Sequence, residues 1–509
     1  MISNIDSSKQ LKLGAIMSYL AIAFNIISGL LYTPWMVDII GKEDYGLYIL
    51  ATSLIGFFAM DFGLGSAISR FLSKYKAMGD LEGQKRFLGI TYKLFIIITA
   101  LVFIVLVIVY FLMENIFVEL TAKEIEKLEI IFLISGIFTI SSFPFKPFDG
   151  ILIANERFIF IKLADLVHKI LIVFLMVLAL LMGYGLYAIV IVNALVGLLI
   201  VLIKYFYIKN TTDTEVDIYY SDRKLYKQIF GYSVWTTIIA VGQRFILNIT
   251  PSILGAFAGS VQIALFSLGM VIEGYTWSIS NALGGLFLPK VTRMTTNNND
   301  MREVENLLIK VGRIQLLIIG LIIAGFASMG QEFIRLWMGE SFSDSYYIAL
   351  LLIAPGLITL TQEIAYTTLI ALNEIRYRAI ASLITAVIST VISIILSQHY
   401  GAIGSASAIF IGNILGLVIF MNIVYYKVLK INIFRFFKEC HYKIIIPLIL
   451  TIFIGLIIQY IFPVSSLVIF MLKASVFVLI YFILMWFISL NEYEKNLFSG
   501  VFKKILERK

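Results

Sequence analysis

Residues 94–113 read LFIIITALVFIVLVIVYFLM and lie between Lys93 and Glu114, with no charged residue among them. A helix needs roughly 20 apolar residues to cross the hydrocarbon core of a bilayer, where only a helix or a closed barrel satisfies its backbone hydrogen bonds. Residues 90–113 are therefore predicted to span a membrane. Comparable apolar stretches occur near residues 13–40, 45–69, 128–153, 158–182, 185–207, 228–256, 262–288, 307–335, 346–371, 379–397, 402–426, 443–462 and 466–489.

The composition agrees with an all-α, polytopic membrane protein of about fourteen spans. Of the 509 residues, 60% are hydrophobic and only 14% are charged, and the mean hydropathy is +0.95. A water-soluble domain of this size could not bury so much apolar surface. The first stretch follows a short polar head, Met1 to Lys12, and we expect it to be a retained helix rather than a cleaved signal peptide.

The distribution of Lys and Arg predicts the topology. With the N-terminus inside, the inner connectors hold most of the 40 basic residues, whereas the outer connectors hold only Lys42, Lys123, Lys127 and Arg335. Short loops rich in Lys and Arg stay on the cytoplasmic side. We therefore expect both termini in the cytoplasm of a bacterium, in a multi-pass protein of the plasma (inner) membrane.

The same distribution explains the net charge of +8 as a topology signal. A nucleic-acid partner would require a basic soluble face, and the sequence predicts no soluble domain to carry one. The single cysteine, Cys440, cannot form an internal disulfide, and no cluster of residues has metal-ligand spacing. We expect no metal and no cofactor.

The two halves of the chain resemble each other at a nearly constant offset in numbering. The matching features are Gly14 with Gly231, Pro34 with Pro251, Asn155-Glu156 with Asn373-Glu374, and Tyr184-Gly185 with Tyr400-Gly401. Six spans per unit give a parallel repeat with a pseudo-two-fold axis along the membrane normal. The predicted domains are a first lobe (1–209), a cytoplasmic linker (210–227), a second lobe (228–430) and a tail with two extra spans (431–509).

Charged residues at membrane depth are the candidate site residues, because each costs roughly 3 kcal/mol at the centre of a helix and should face protein or water. Lys146 and Asp149 flank the interruption that Pro144 and Pro147 make in the fourth span. Prolines expose carbonyl groups, as at transporter substrate sites. A local ion pair between Lys146 and Asp149 is the alternative.

On the fifth span, Asp165 and Lys169 are four residues apart, which predicts a structural pair. Lys169 is deep enough to remain a candidate for substrate binding. Arg244 lies near the middle of the seventh span, with no acid within helical reach. Its planar, permanently charged guanidinium suits phosphate oxygens, so Arg244 is the strongest candidate for binding an anion.

Glu273 and Glu363 are isolated acids at mid-depth in the eighth and tenth spans. They are candidates for exchanging a coupling proton or for binding Na⁺, or else they are counter-ions for Arg244 and Lys169. Lys473, in the outer half of the last span, is expected to extend its amine to the membrane interface.

The stretch from Gly41 to Tyr75, with Asp61-Phe62-Gly63-Leu64-Gly65-Ser66-Ala67-Ile68-Ser69-Arg70 at its centre, resembles the signature of bacterial polysaccharide-export flippases. These proteins belong to the multidrug/oligosaccharidyl-lipid/polysaccharide superfamily. Asp61, Gly63 and Arg70 match the motif, and Arg70 is expected to be a topology or gate residue. Many O-antigen flippases have twelve spans, two fewer than predicted here. The additional pair resembles that of lipid II flippases, and this resemblance implies that the pair could shape a groove for the lipid tail.

The resemblance implies two lobes around a cavity and alternating access, which moves an undecaprenyl-pyrophosphate-linked oligosaccharide to the outer leaflet. It further implies that Arg244, Lys169 and Lys146 bind the pyrophosphate and sugar acids, and that polysaccharide polymerase machinery is a partner. One alternative is a cation-coupled multidrug antiporter of the same fold, which Glu273 and Glu363 would suit. The other, a membrane polysaccharide polymerase or ligase, would need a long outer loop, and none is predicted.

Overall fold

The computed structural model describes residues 7–60, 62–212, 214–284, 287–297, 301–464, 466–496 and 499. Over these residues the chain forms helices and connecting turns without a β-strand, which confirms the all-α prediction. The α-helices are α1 (Ser7–Ile40), α2 (Lys42–Phe58), α3 (Leu64–Ala77), α4 (Leu81–Ile116), α5 (Ala122–Ser142), α6 (Pro147–Ala154), α7 (Phe158–Leu181), α8 (Leu186–Thr211), α9 (Arg223–Leu247), α10 (Ile249–Phe257), α11 (Ser260–Gly284), α12 (Leu288–Asn297), α13 (Met301–Met338), α14 (Ser345–Ile353), α15 (Gly356–Thr359), α16 (Glu363–Ala371), α17 (Arg376–Asn413), α18 (Met421–Lys427), α19 (Ile433–Phe436), α20 (Lys443–Ile461) and α21 (Leu467–Leu484).

Twelve helical segments of the described chain are long and apolar enough to cross a membrane. One of them, Arg376–Lys427, has 52 residues, more than twice the roughly 20 that a single crossing needs. It bends at Gly401, whose φ of 53° and ψ of −132° are not helical. This break separates the spans predicted at 379–397 and 402–426, which the structure joins in one helical segment. The difference between twelve segments and about fourteen predicted spans therefore depends on whether an interrupted segment is counted once or twice.

The second predicted span, 45–69, is interrupted rather than continuous. Helix α2 ends at Phe58 after 17 residues, and α3 begins at Leu64. Between them Phe62 and Gly63 adopt left-handed backbone angles, with φ of 50° and 70°. An α-helix of L-residues cannot continue through such angles, so a hydropathy pattern that reads as one span is two helices.

Two features of the local backbone geometry recur in the two halves of the chain, as the predicted repeat requires. Phe143–Phe145 and Leu360–Gln362 each form a 3₁₀ turn inside a span, at corresponding positions of the two halves. After the following helix, Glu156 and Asn373 each have a positive φ, of 55° and 59°, and these two residues are separated by the same offset as the two turns. Positive φ angles are uncommon for residues other than glycine. Their recurrence therefore indicates that the two halves share one local design.

Contacts within the described chain divide it into two units: Met1–Ser267 with Ala386–Ser405, and Leu268–Thr385 with Ala406–Lys509. The core of the first unit packs α3 and α4 against α6, with Ile68, Phe87 and Leu152 fully buried. A Cβ on Gly150 would lie 2.7 Å from Ile68, so this glycine permits α6 to approach α3 closely. The domain boundaries proposed from the sequence stay a prediction.

In the second unit, the last two spans pack on α13 through buried charges. Lys473 of α21 is only 7% exposed, and its Nζ lies 2.6 Å from Oε2 of Glu332. The expectation that Lys473 extends to the interface is wrong, because a counter-charge and the carbonyl of Phe462, 3.0 Å away, satisfy the amine in place. Nineteen residues earlier on α13, Arg313 binds Glu494 through Nε at 2.5 Å and Nη2 at 2.9 Å.

Candidate functional site

Arg244 lies on α9, where its side chain is half-buried against the end of α2. Its Nη1 donates to Oδ1 of Asn248, one turn later, at 3.2 Å. A Cβ built on Gly56 of α2 would lie 3.0 Å from Nδ2 of Asn248 and 3.6 Å from Nη1 of Arg244. The absence of a side chain at Gly56 therefore leaves room for the guanidinium and for the amide that holds it.

The polar partner of Arg244 is neutral. Within the described residues of the first unit, no carboxylate lies within salt-bridge distance of the guanidinium. The neighbouring Phe245 makes an edge-to-face contact with Phe57, with ring centroids 4.9 Å apart, which fixes this part of α9 against α2. The arrangement holds a positive charge in a defined place without cancelling it.

Lys146 lies at the interruption of the fourth span, next to the end of α2. Its Nζ donates to the carbonyl oxygen of Ala59 at 3.2 Å and lies 5.2 Å from the ring centroid of Phe143. Ala59 follows the last residue of α2, where carbonyl groups have no helical partner. The proline-interrupted segment thus places the amine of Lys146 beside the C-terminal end of α2.

The alternative of a local ion pair between Lys146 and Asp149 is wrong. Asp149 instead pairs with Lys204 of α8, whose Nζ lies 2.7 Å from Oδ1. Lys204 is not among the candidate residues that the sequence indicates. No local pattern indicates this pair, because its members are separated by 55 residues.

The predicted pair between Asp165 and Lys169 is not a salt bridge in the structure, although the Asp165 carboxylate interacts electrostatically with Lys169. Asp165 faces Lys162, at 3.8 Å, one turn towards the start of α7. Helical side chains lean towards the N-terminus, which carries the short aspartate away from Lys169. Lys169 itself is half-buried and forms no hydrogen bond or salt bridge to another described residue. Among the described residues, Lys169 is therefore a second cation without a salt bridge, and Asp165 acts on it only at longer range.

The motif residues surround the break between α2 and α3. Gly63 caps α3 with its left-handed φ of 70°, and Arg70 is exposed on α3. Asp61 lies outside the described residues. Thr237 of α9 donates its hydroxyl to the carbonyl oxygen of Phe62 at 2.6 Å. The break is therefore held by Thr237 on α9 and, through Ala59, by Lys146.

Glu273 and Glu363 belong to the second unit. Neither forms a salt bridge with another described residue of that unit. Glu363 interacts electrostatically with Arg378, whose guanidinium lies 5.1 Å from the ring centroid of Tyr366. The alternative that these acids are counter-ions for Arg244 and Lys169 stays a prediction.

The sequence comparisons decide the family. A family of polysaccharide biosynthesis proteins matches residues 11–283, more than half of the chain. The chain belongs to this polysaccharide biosynthesis protein family. The matched region contains the break between α2 and α3 and the candidate cations Lys146, Lys169 and Arg244.

Two relatives of this family member are similar over different lengths. The probable low-salt glycan biosynthesis flippase Agl15 of Haloferax volcanii is 20% identical over 182 residues, which cover 36% of this chain and 38% of Agl15. The uncharacterized membrane protein EpsK of Bacillus subtilis (strain 168) is 22% identical over 417 residues, which cover 79% of this chain and 80% of EpsK.

The fold of this polysaccharide biosynthesis protein is that of known transporters. The lipid II flippase MurJ, in an inward closed conformation, superposes with a TM-score of 0.69 at 16% identity, covering 93% of this chain and 97% of MurJ. An inward-facing multidrug resistance MATE family transporter of the MOP superfamily gives 0.66 at 15% identity, covering 82% and 98%. The protein is thus a multi-span membrane protein of the polysaccharide biosynthesis family, and its fold resembles that of these two transporters.

Proposed function

We propose that this protein flips an undecaprenyl-pyrophosphate-linked oligosaccharide, the repeat unit of a cell-surface polysaccharide, from the inner to the outer leaflet by alternating access. The proposal combines the transporter fold with an anion-binding site on the first unit. Such a site must hold a pyrophosphate firmly at one stage and release it at another, so its cations should be accessible and not permanently paired with acids.

The observation that carries the proposal is the neutral environment of the Arg244 guanidinium. Its guanidinium is held by the neutral amide of Asn248 over Gly56, which sets its position and leaves its charge available. A guanidinium binds phosphate oxygens through two parallel hydrogen bonds. Asn248 costs little to displace, since it offers no opposing charge.

Lys146 and Lys169 add two point charges to the same unit. Lys146 is anchored to a helix-end carbonyl, and Lys169 has no hydrogen-bonding partner among the described residues. Lysine amines bind phosphate and carboxylate groups without a fixed geometry. We propose that Lys146 joins Arg244 at the pyrophosphate and that Lys169 binds acidic groups of the glycan.

Coupling to a proton or to Na⁺ is proposed for Glu273 and Glu363. Both acids lie in predicted spans of the second unit, without a salt bridge to the described residues there. A carboxylate in that position gains or loses a proton at small cost compared with a salt-bridged one. Glutamine at either position would remove the titration and keep the shape.

A second candidate is a cation-coupled multidrug antiporter, which the same two acids and the MATE-like fold favour. An antiporter for cationic drugs needs a cavity with excess negative charge. The cations of the first unit oppose that requirement. Drug susceptibility of a deletion strain separates the two functions, because the flippase predicts no change.

The decisive experiment follows lipid-linked glycan in cells that carry Arg244→Gln as the sole copy. We expect undecaprenyl-linked oligosaccharide to accumulate on the inner leaflet and export to fall by about tenfold to a hundredfold, the loss of charge-assisted hydrogen bonds. Arg223→Gln is the matched control, because Arg223 is an exposed arginine at the start of the same helix. Full export by folded, membrane-inserted Arg244→Gln protein would refute the assigned role.

The location follows from the same proposal. We propose that the protein resides in a bacterial plasma membrane with both termini in the cytoplasm, and that it hands its product to polysaccharide polymerase machinery. Reporter fusions at the two termini test the orientation. A terminus that is accessible from outside the cell would contradict it.

A further inference from the structure

A groove in the first unit lies between the end of α2, the middle of α4 and the middle of α9. Its volume is about 430 Å³, within the range of small-molecule sites. The residues that line it on the three helices and at the break after α2 include Phe58, Phe62, Ile97, Leu101, Val234 and Thr237. The groove is therefore large enough for part of a ligand and is bounded by named elements of one unit.

The described lining of the groove offers no free polar group to a ligand. Among these lining residues Thr237 alone is polar, and its hydroxyl already donates to the carbonyl oxygen of Phe62 at 2.6 Å. A polar ligand would lose its hydrogen bonds to water on entry without replacing them. The groove therefore selects an apolar chain.

The α4 wall of the groove is accessible from the lipid. Ile97 and Leu101 are 54% and 57% exposed, within the uninterrupted apolar stretch that spans the membrane. Apolar side chains so exposed in a membrane span contact acyl chains. An apolar chain can thus enter sideways from the bilayer without crossing water.

The cations of the candidate site adjoin this groove. Arg244 follows Thr237 by seven residues, so it lies on the same face of α9, two turns or roughly 10 Å further along. Gly56, under the guanidinium, precedes the lining residue Phe58 by two positions. Lys146 binds the carbonyl of Ala59, which directly follows Phe58. The end of α2 therefore joins a cationic surface to an apolar groove.

We propose that the groove between α2, α4 and α9 binds the polyprenyl chain of the lipid-linked substrate, while Arg244 and Lys146 bind its pyrophosphate. The proposal rests on the proposed function and deepens it. A groove for one chain beside a pair of cations suits a ligand with one chain and two phosphates. A phospholipid brings two acyl chains and one phosphate, and it would leave one chain outside.

The test uses the purified full-length protein in lipid nanodiscs and a polyprenyl pyrophosphate that carries a photoreactive diazirine on its chain. After irradiation, mass spectrometry maps the labelled peptides. We expect labelling of α4 between Ile97 and Val105. Excess undecaprenyl pyrophosphate should suppress this labelling, whereas the same mole fraction of phosphatidylglycerol should not.

Two tryptophan variants on α4 provide a matched pair. Val105 lines the groove, whereas Val107, two residues later, is exposed and lies outside it. Val105→Trp should reduce labelling by about tenfold, as overpacking a site does, and Val107→Trp should leave it unchanged. Leu101→Trp is a second filling variant, in case Val105→Trp is not folded.

Equal suppression by phosphatidylglycerol would overturn the proposal in favour of a general lipid contact. Equal labelling of the two valine variants, or labelling confined to other helices, would overturn it as well. The proposed function is tested separately by glycan export. If the wild-type protein exports glycan and α4 is not labelled, only the chain site fails; if α4 is labelled and no glycan is exported, only the proposed function fails.

Discussion

The first and second units differ in how several of their cations inside the membrane are neutralised. In the second unit, Lys473 with Glu332 and Arg313 with Glu494 form ion pairs whose side chains are all 5% exposed or less. In the first unit, Arg244 has a neutral partner, and Lys169 has no hydrogen bond or salt bridge to a described residue. A charge neutralised by a buried partner can only hold helices together, whereas a charge left available can bind a ligand that comes and goes.

The repeat sharpens this contrast at one pair of positions. Lys146 directly follows the 3₁₀ turn Phe143–Phe145, and Glu363 directly follows the corresponding turn of the other half, Leu360–Gln362. Equivalent positions after equivalent turns therefore carry opposite charges. The two halves thus share a backbone geometry but differ in charge at this position. A lysine suits the proposed pyrophosphate site in one half, and a glutamate suits the proposed cation coupling in the other.

The largest effect on stability is expected from Glu332→Gln. It leaves the buried amine of Lys473 without a counter-charge, which should lower the free energy of unfolding by about 3–5 kcal/mol. Denaturant unfolding in detergent measures it. Glu340→Gln, which removes an exposed acid 3.9 Å from Arg335, is the control and should change little. Equal stability of the two variants would show that the buried pair does not fasten the last spans.

A smaller loss of stability is expected from Arg313→Lys. Arg313 binds Glu494 twice and also donates to the carbonyl oxygens of Glu439 and Ser489, each at 2.8 Å. A lysine keeps the charge but not the planar fork, so the loss should be about 2 kcal/mol. The melting temperature in detergent measures it. The control is Arg376→Lys, at an exposed pair with Glu374, which should have the melting temperature of the wild type. An equal decrease in the melting temperature of this control would contradict the role given to the hydrogen bonds of Arg313.

Gly56→Ala tests the site of Arg244 with only a modest effect on stability, about 1 kcal/mol. The added methyl group would lie 3.0 Å from Nδ2 of Asn248, so the amide and the guanidinium must shift. Glycan export should fall severalfold. Gly136→Ala is the control, since its nearest neighbour is an ordinary contact at 3.8 Å from Leu106. Unchanged export by Gly56→Ala would mean that the position of Arg244 does not matter.

The smallest effect on stability is expected from Lys169→Gln, within about 0.5 kcal/mol, since no hydrogen bond or salt bridge to a described residue is lost. Export should nevertheless decrease if Lys169 binds the glycan. Lys162→Gln, which removes the partner of Asp165 on the same helix, serves as the control and should export normally. A clear loss of stability in Lys169→Gln with normal export would show that Lys169 stabilises the fold and does not bind the glycan.

Much of the fold was predictable because its signals are local. The apolar stretches located the spans, and Tyr400-Gly401 marked the boundary at which Gly401 interrupts a 52-residue helical segment. The constant offset between the two halves anticipated the paired 3₁₀ turns. The break after Phe58 was missed, because hydropathy does not register the left-handed angles of Phe62 and Gly63.

The site was predictable as a set of residues but not as a set of contacts. Lys146, Lys169 and Arg244 were found because charge is rare at membrane depth. Gly56 and Asn248 were missed, since a glycine and an amide are ordinary in a span and gain meaning only beside a guanidinium. The groove between α2, α4 and α9 is lined by apolar residues indistinguishable in sequence from lipid-facing ones.

The sequence by itself determined where the chain crosses the membrane, that it does so twice over in a repeated pattern, and which charges are costly there. These properties depend on consecutive residues and their transfer from water to hydrocarbon. Only the tertiary structure decided which charges are neutralised, because the partners are distant in sequence: Lys473 and Glu332 are 141 residues apart, and Lys204 and Asp149 are 55 apart. Pairing depends on which helices pack side by side, and hydropathy carries no information on that.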